Sequence, residues 1–97
     1  MVKIYFKGSL KEIFPGEYSM EIQDKVPFKE ILEKLHHKFG NPVYQYLHRP
    51  NGITESPSLI IIKRNNKLTQ GAFASEILEE MIEPNDEILV LSVIAGG

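Results

Sequence analysis

The sequence contains no cysteine, which removes disulfide frameworks, thiolate nucleophiles and cysteine-bound metals together. It also lacks a strong charge of either sign. Its 11 basic and 13 acidic side chains leave a formal net charge of -2, so no basic excess recommends a nucleic-acid ligand. No apolar run approaches the roughly 18 residues of a membrane span. Met1-Val2-Lys3-Ile4 opens no apolar stretch behind a charged leader, and the expected location is the cytoplasm. There is no glycine-rich phosphate loop, no Ser/His/Asp set that spacing alone can name, and no repeat or low-complexity tract. What remains is the composition of a globular chain: 97 residues, 42% hydrophobic and 25% charged, which suffices for one domain with its own core.

The period of the apolar residues changes along the chain. Val2, Ile4 and Phe6 alternate with Lys3, Tyr5 and Lys7, and Tyr18, Met20 and Ile22 alternate with Ser19, Glu21 and Gln23. With Phe14-Pro15-Gly16-Glu17 as punctuation, residues 2–23 read as a hairpin with a moderately long loop. Phe28, Ile31, Leu32, Leu35 and Phe39 then fall on one helical face, with Pro27 in the first turn, Gly40 as a left-handed stop and Pro42 against continuation. Residues 41–58 hold Pro42, Pro50, Pro57 and Asn51-Gly52 and read mostly as loop.

Leu59-Ile60-Ile61-Ile62 is a short β-branched run suited to a central strand. Asn65-Asn66 tolerates the left-handed backbone of a tight hairpin, and Lys67-Leu68-Thr69 reads as a brief return strand. Phe73, Ile77, Leu78 and Met81 suggest one or two helical turns. Pro84-Asn85-Asp86 is a turn, and Glu87 to Val93 the last strand. The expected core is Val2, Ile4, Phe6, Ile31, Leu35, Ile61, Leu89 and Leu91. This order is that of an α+β domain, a mixed sheet of about four to five strands with one main helix packed across it.

The isolated polar features are weaker signals. His36 and His37 are adjacent on the helix, so their side chains diverge by roughly 100°; with His48 distant in sequence they make a poor metal set, and no metal site is expected. Glu76, Glu79, Glu80, Glu83, Asp86 and Glu87 form an acidic stretch that reads as a solvated face or as a steering surface for a basic partner. Lys63, Arg64 and Lys67 around a turn are too few for a nucleic-acid patch and read as solubilising charges.

The end of the chain is the most specific feature. An apolar strand runs directly into Ile94-Ala95-Gly96-Gly97. Two glycines can thread a channel too narrow for side chains and present the Gly97 carboxylate as a reactant. Extended, residues 93–97 reach about 15–18 Å from the sheet. The expected site is therefore Gly97 as the reacting group, with Gly96, Ala95 and Ile94 threading the partner. Phe73 and Val93 are candidate partner contacts beside them.

The element order, together with Val2-Lys3-Ile4-Tyr5-Phe6, the helix at 27–39, Ile82-Glu83-Pro84-Asn85-Asp86-Glu87-Ile88 and the tail Val93-Ile94-Ala95-Gly96-Gly97, resembles the ubiquitin-like β-grasp sulfur carriers. In particular it resembles the small subunit of molybdopterin synthase (the MoaD/ThiS family). Asn85 stands where members often have glycine, and Ser92 where many have proline. The segment 41–58 is longer than in the thiazole-pathway carriers.

The resemblance implies a single β-grasp domain over residues 1–97, with 93–97 as an exposed, flexible, reactive tail. It implies a carrier that is not itself the catalyst and holds no permanent cofactor. An activating partner of the ubiquitin-activating-enzyme type (MoeB/ThiF-like) would use ATP to adenylate Gly97. A persulfide would then displace AMP, and the resulting thiocarboxylate would donate sulfur in molybdenum-cofactor biosynthesis with a molybdopterin-synthase large subunit. No nucleic-acid or membrane partner is implied. The alternative is a ubiquitin-like modifier joined to target lysines through the same Gly-Gly terminus, or a carrier for tRNA thiolation or thiazole synthesis.

Overall fold

The computed structural model describes residues 1–48 and 58–92. Strand β1 (Val2–Phe6) keeps the alternation of its sequence: Val2, Ile4 and Phe6 are fully buried, whereas Lys3 and Tyr5 face away from the core. Gly8, at φ 64°, admits a 3-10 turn over Gly8–Glu12, and the chain returns as β2 (Glu17–Met20), antiparallel to β1. The second strand is thus shorter than expected, and Ile22 enters the core just beyond its end. Phe14 from the intervening loop stacks on Phe6 with ring centroids 4.5 Å apart. Phe39 meets the two rings edge-on at 5.6 and 6.3 Å. Each such pair adds about 0.5–1.5 kcal/mol beyond the area buried, so the loop is pinned to the sheet by its aromatic side chains.

Helix α1 (Phe28–Phe39) buries Phe28, Ile31, Leu32 and Leu35. Gly40 stops it at φ 79°, donating its N–H to the His36 carbonyl at 2.8 Å. Pro27 stands before the first turn, in the two-residue strand β3 (Val26–Pro27), which pairs with β6 (Met81–Ile82) in a small second sheet. Part of the stretch expected to be loop is helical: α2 (Pro42–Tyr46) starts on Pro42, and Val43 and Leu47 are fully buried. Residues 49–57, including Pro50, Asn51, Gly52 and Pro57, lie outside the described residues.

Strand β4 (Ser58–Arg64) and β5 (Lys67–Phe73) form a hairpin whose turn residues Asn65 and Asn66 both take positive φ, 54° and 63°. A two-residue turn of this hand matches strand twist. β5 is seven residues long rather than three. Phe73 therefore ends a strand and Met81 begins one, where helical turns were expected. Only Ala74–Glu76 coils, as a short 3-10 turn. After Asn85, at φ 75°, β7 (Glu87–Ser92) closes the fold.

The main sheet has the order β2-β1-β7-β4-β5. β7 pairs in parallel with β1 and antiparallel with β4. The buried face of this sheet shares one hydrophobic cluster with α1. Its central strands contribute Ile60, Ile62, Ile88 and Val90, none more than 1% exposed. The expected core residues Ile61, Leu89 and Leu91 are instead only half-buried, on the opposite face. The reason is that a continuous apolar run carries no alternation from which to choose a face. Among the described residues no helix is long and apolar enough to cross a membrane.

The charged residues near the last turn serve the fold. Asp86 is 1% exposed and grips Arg64 with both oxygens, Nε–Oδ1 2.9 Å and Nη2–Oδ2 2.8 Å. Its Oδ2 also accepts the Glu83 N–H at 2.8 Å, while Arg64 donates to the Met81 carbonyl. The carboxylate holds the Arg64 pKa above its ordinary value, its hydrogen bond outweighing the loss of hydration. Arg64 is therefore not a loose solubilising charge. Arg64 is itself 31% exposed, so its removal leaves chiefly the buried Asp86 carboxylate unpaired, at a cost of about 1–3 kcal/mol.

Two outcomes test this architecture. In urea titrations Ile60→Ala should lose about 2–4 kcal/mol of stability, whereas Ile61→Ser should lose less than about 1 kcal/mol; equal losses would place the wrong face in the core. The second concerns His48, whose Nδ1 is buried and has no hydrogen-bond partner among the described residues. Loss of hydration lowers its pKa from the ordinary 6.5, so the unfolded chain binds the proton more readily than the folded one. Stability should then be full above about pH 6.5 and decline as pH falls through that value towards the folded pKa. His48→Gln should flatten this slope between about pH 7.5 and 5.5, measured by thermal unfolding.

Candidate functional site

Pairing registers set out the outer face of the main sheet row by row. One row runs Tyr5, Leu89, Ile61, Gly71 across β1, β7, β4 and β5. The next, nearer the end at which β7 leaves the sheet, holds Leu91, Leu59 and Phe73. On the other side the row is charged, with Lys3 and Lys63 flanking Glu87. The face thus grades from charged to apolar towards Ser92, the last described residue before the tail. Gly71 leaves a shallow place in the band, because nothing lies within 4 Å of where a Cβ would stand.

Phe73 lies in the row closest to the tail, half-buried, and does not belong to the central hydrophobic cluster. Leu59, Ile61, Leu89 and Leu91 share that status. From the sequence, Ile61, Leu89 and Leu91 were expected in the core and Leu59 in a central strand. The charged neighbours Lys63 and Glu87, which share their parity, carried the information that they face outward.

The electrostatics along the band are modest. The Tyr5 hydroxyl donates to Glu87 Oε2 at 3.4 Å, and the Lys7 ammonium lies 5.4 Å from the Tyr5 ring centroid. The Tyr5 phenol is held above its ordinary pKa of 10.0, first by lost hydration and then by Glu17 and Glu87. The acidic stretch does not form one face. Asp86 is buried on Arg64; Glu83 lies 3.3 Å from the same guanidinium; Glu79 pairs with Lys29 at 2.9 Å; Glu76 accepts the Phe73 N–H. The reading of that stretch as a solvated surface holds for Glu76, Glu79 and Glu80, which are exposed, and is corrected for Asp86, which is buried.

The remaining candidates disperse. His36 stacks on Tyr44 with centroids 4.1 Å apart, and His48 borders a groove of about 150 Å³ with Leu32, Tyr44 and Leu78. Among the described residues no group of three or more His, Asp or Glu side chains converges on a point. Val93, Ile94, Ala95, Gly96 and Gly97 lie outside the described residues, so the structure locates the point where the tail begins and the surface beside it.

No family model matches the chain, and no curated protein sequence matches it. The fold is similar to that in the crystal structure of SAMP1 from Haloferax volcanii, with a TM-score of 0.62 over 99% of this chain and 98% of that one, at 15% sequence identity. The chain has the β-grasp, ubiquitin-like fold: a mixed five-stranded sheet with one main helix across it.

Proposed function

We propose that this protein is a sulfur carrier of the molybdopterin-synthase small-subunit type, with Gly97 as its reacting C-terminus. The observation that carries the reading is the coincidence of two features at one end of the sheet. β7, held on both sides, delivers residues 93–97 from the middle of the sheet. A half-buried apolar band of Leu59, Leu91 and Phe73, outside the central hydrophobic cluster, adjoins that exit. A partner that docks on the band receives the tail in a fixed direction, which is the requirement for placing a carboxylate beside a nucleotide.

The chemistry follows from the weakness of a carboxylate as an electrophile. A Gly97 oxygen attacks the α-phosphate of ATP on an activating enzyme of the ubiquitin-activating type, and pyrophosphate leaves. A persulfide then displaces AMP, and a second thiol cleaves the sulfur–sulfur bond to leave the thiocarboxylate. The carrier itself supplies the reacting carbon, the thin approach through Gly96, Ala95 and Ile94, and the docking surface with Phe73 and Val93. A molybdopterin-synthase large subunit consumes the sulfur in this reading. Conjugation to lysine through the same adenylate is the competing reading, favoured by the same tail.

Intact-mass measurement on protein isolated from its native cell separates the two. A chain ending at Gly97 and heavier by about 16 Da, one oxygen exchanged for sulfur, supports the carrier; Gly-Gly remnants on other proteins' lysines support the modifier. Deleting Gly96 and Gly97 should abolish either modification, and full activity after the deletion would exclude both. Phe73→Asp should leave folding intact and weaken the activating partner at least about tenfold in a pyrophosphate-exchange assay, the scale of losing one apolar anchor.

A further inference from the structure

Two polar side chains are buried among the described residues, Asp86 at 1% and Ser58 at 0% exposure. Both stand at ends of the β4–β7 pair. Asp86 precedes β7 and holds Arg64, the last residue of β4. Ser58 opens β4 and, by register, faces Ser92, the last residue of β7. The ion pair accounts for Asp86. Ser58 needs an account of its own, because it shares the inward parity of Ile60 and Ile62 in an otherwise apolar face. A buried hydroxyl is costly unless it is hydrogen-bonded.

Its partner lies on α2. The Ser58 hydroxyl donates to the Tyr46 carbonyl, in the last turn of a helix, where carbonyls have no intrahelical N–H to accept from. α2 is itself fixed. Val43 and Leu47 are fully buried, the Val43 N–H donates to the Gly40 carbonyl at 3.1 Å, and Tyr44 stacks on His36 of α1. The hydroxyl therefore fastens the first residue of β4 to the helical layer. The other neighbour of β7 lets go earlier. The register of β1 with β7 ends at Phe6 and Val90, and the Lys7 N–H donates to the Val90 carbonyl at 3.0 Å. Among the described residues, positions 91 and 92 then pair only with β4, at Leu59 and Ser58. What fixes Ser58 fixes the point from which the chain continues to residue 93.

We propose that Ser58 is a positioning residue: by tying β4 to the Tyr46 carbonyl it sets the place and direction in which the C-terminal tail leaves the sheet. Resting on the reading of Gly97 as the reacting group, this gives α2 a share in the reaction although it contributes nothing to the apolar band. Docking uses Leu59, Leu91 and Phe73 on the outer face, whereas Ser58 points inward. Its loss leaves docking intact and scatters the carboxylate. A misplacement of about 1 Å suffices to cost on the order of 10²-fold in rate.

Two measurements on the full chain test this. In ¹⁵N relaxation, Ser58→Ala should lower the order parameter of the Ser92 amide from about 0.85, the value of rigid backbone, towards about 0.6, with Ile88 unchanged. An unchanged Ser92 would overturn the proposal whatever the protein does. In pyrophosphate exchange with the activating enzyme, Ser58→Ala should lower kcat at least about tenfold at an unchanged KM. A kcat within about twofold of the wild type, in a chain that does support exchange, would also overturn it. Met20→Ala, buried on β2 in the same core, controls for general loosening and should leave both quantities unchanged. An equal fall there would remove the special role of Ser58. A wild-type chain that supports no exchange would sink the reading of Gly97 instead, and the order at Ser92 then decides the positioning role alone.

Discussion

The parallel pairing of β1 with β7 is the constraint on which the rest of the molecule depends. Parallel neighbours cannot be joined by a tight turn, so everything between residues 6 and 87 must cross the sheet and come back. Helix α1 makes that crossing and covers the face where Ile4, Ile60, Ile62, Ile88 and Val90 are buried. The hairpin β4–β5 then occupies the other side of β7. A last strand held by two neighbours cannot fray like a terminal edge strand, and the segment that follows it starts from a fixed point. Asp86 secures the other end of the same strand, through Arg64 from β4 and the Glu83 amide.

How legible this was depended on whether the local pattern contained its own reference. The alternation in β1 and the 3.6-residue period in α1 located those elements to within a residue. Asn65, Asn66 and Asn85 carried their positive φ into the turns expected of them. The runs 59–62 and 88–91 had no such reference, because every residue in them is apolar and either face could be the core. Their outward parity was encoded only at the flanks, by Lys63 and Glu87, and there Asp86 misleads: it is charged, yet its side chain is buried against Arg64. α2 was hidden because prolines argue for loop, although Pro42 stands in a first helical turn, where proline is tolerated. Of the candidate site, Phe73, expected as a partner contact, lies half-buried outside the central cluster, whereas the band around it was not recognised as a surface.

That band separates what the fold requires from what it merely permits. The inner face and the aromatic cluster of Phe6, Phe14 and Phe39 account for the packing of sheet, loop and helix. Leu59, Ile61, Leu89, Leu91 and Phe73 add little to that core and lie in adjacent rows. Apolar side chains scattered singly on a surface need no explanation, but contiguous ones do. Here the contiguity is a consequence of register: outward positions of β7 and β4 face one another directly, Leu91 to Leu59 and Leu89 to Ile61.

In the proposed function the scaffold serves either receiving group: docking on the band and threading of residues 93–97 would both precede the reaction, and adenylation is common to sulfur transfer and to lysine conjugation. The two chemistries diverge only at the nucleophile that displaces AMP, and that nucleophile belongs to the partner. On that reading, selection between them acts on which partner the outer face accepts. The shape of the Leu91-Leu59-Phe73 row and the open place at Gly71 would carry that choice, because they are the part of the outer face that the core does not dictate.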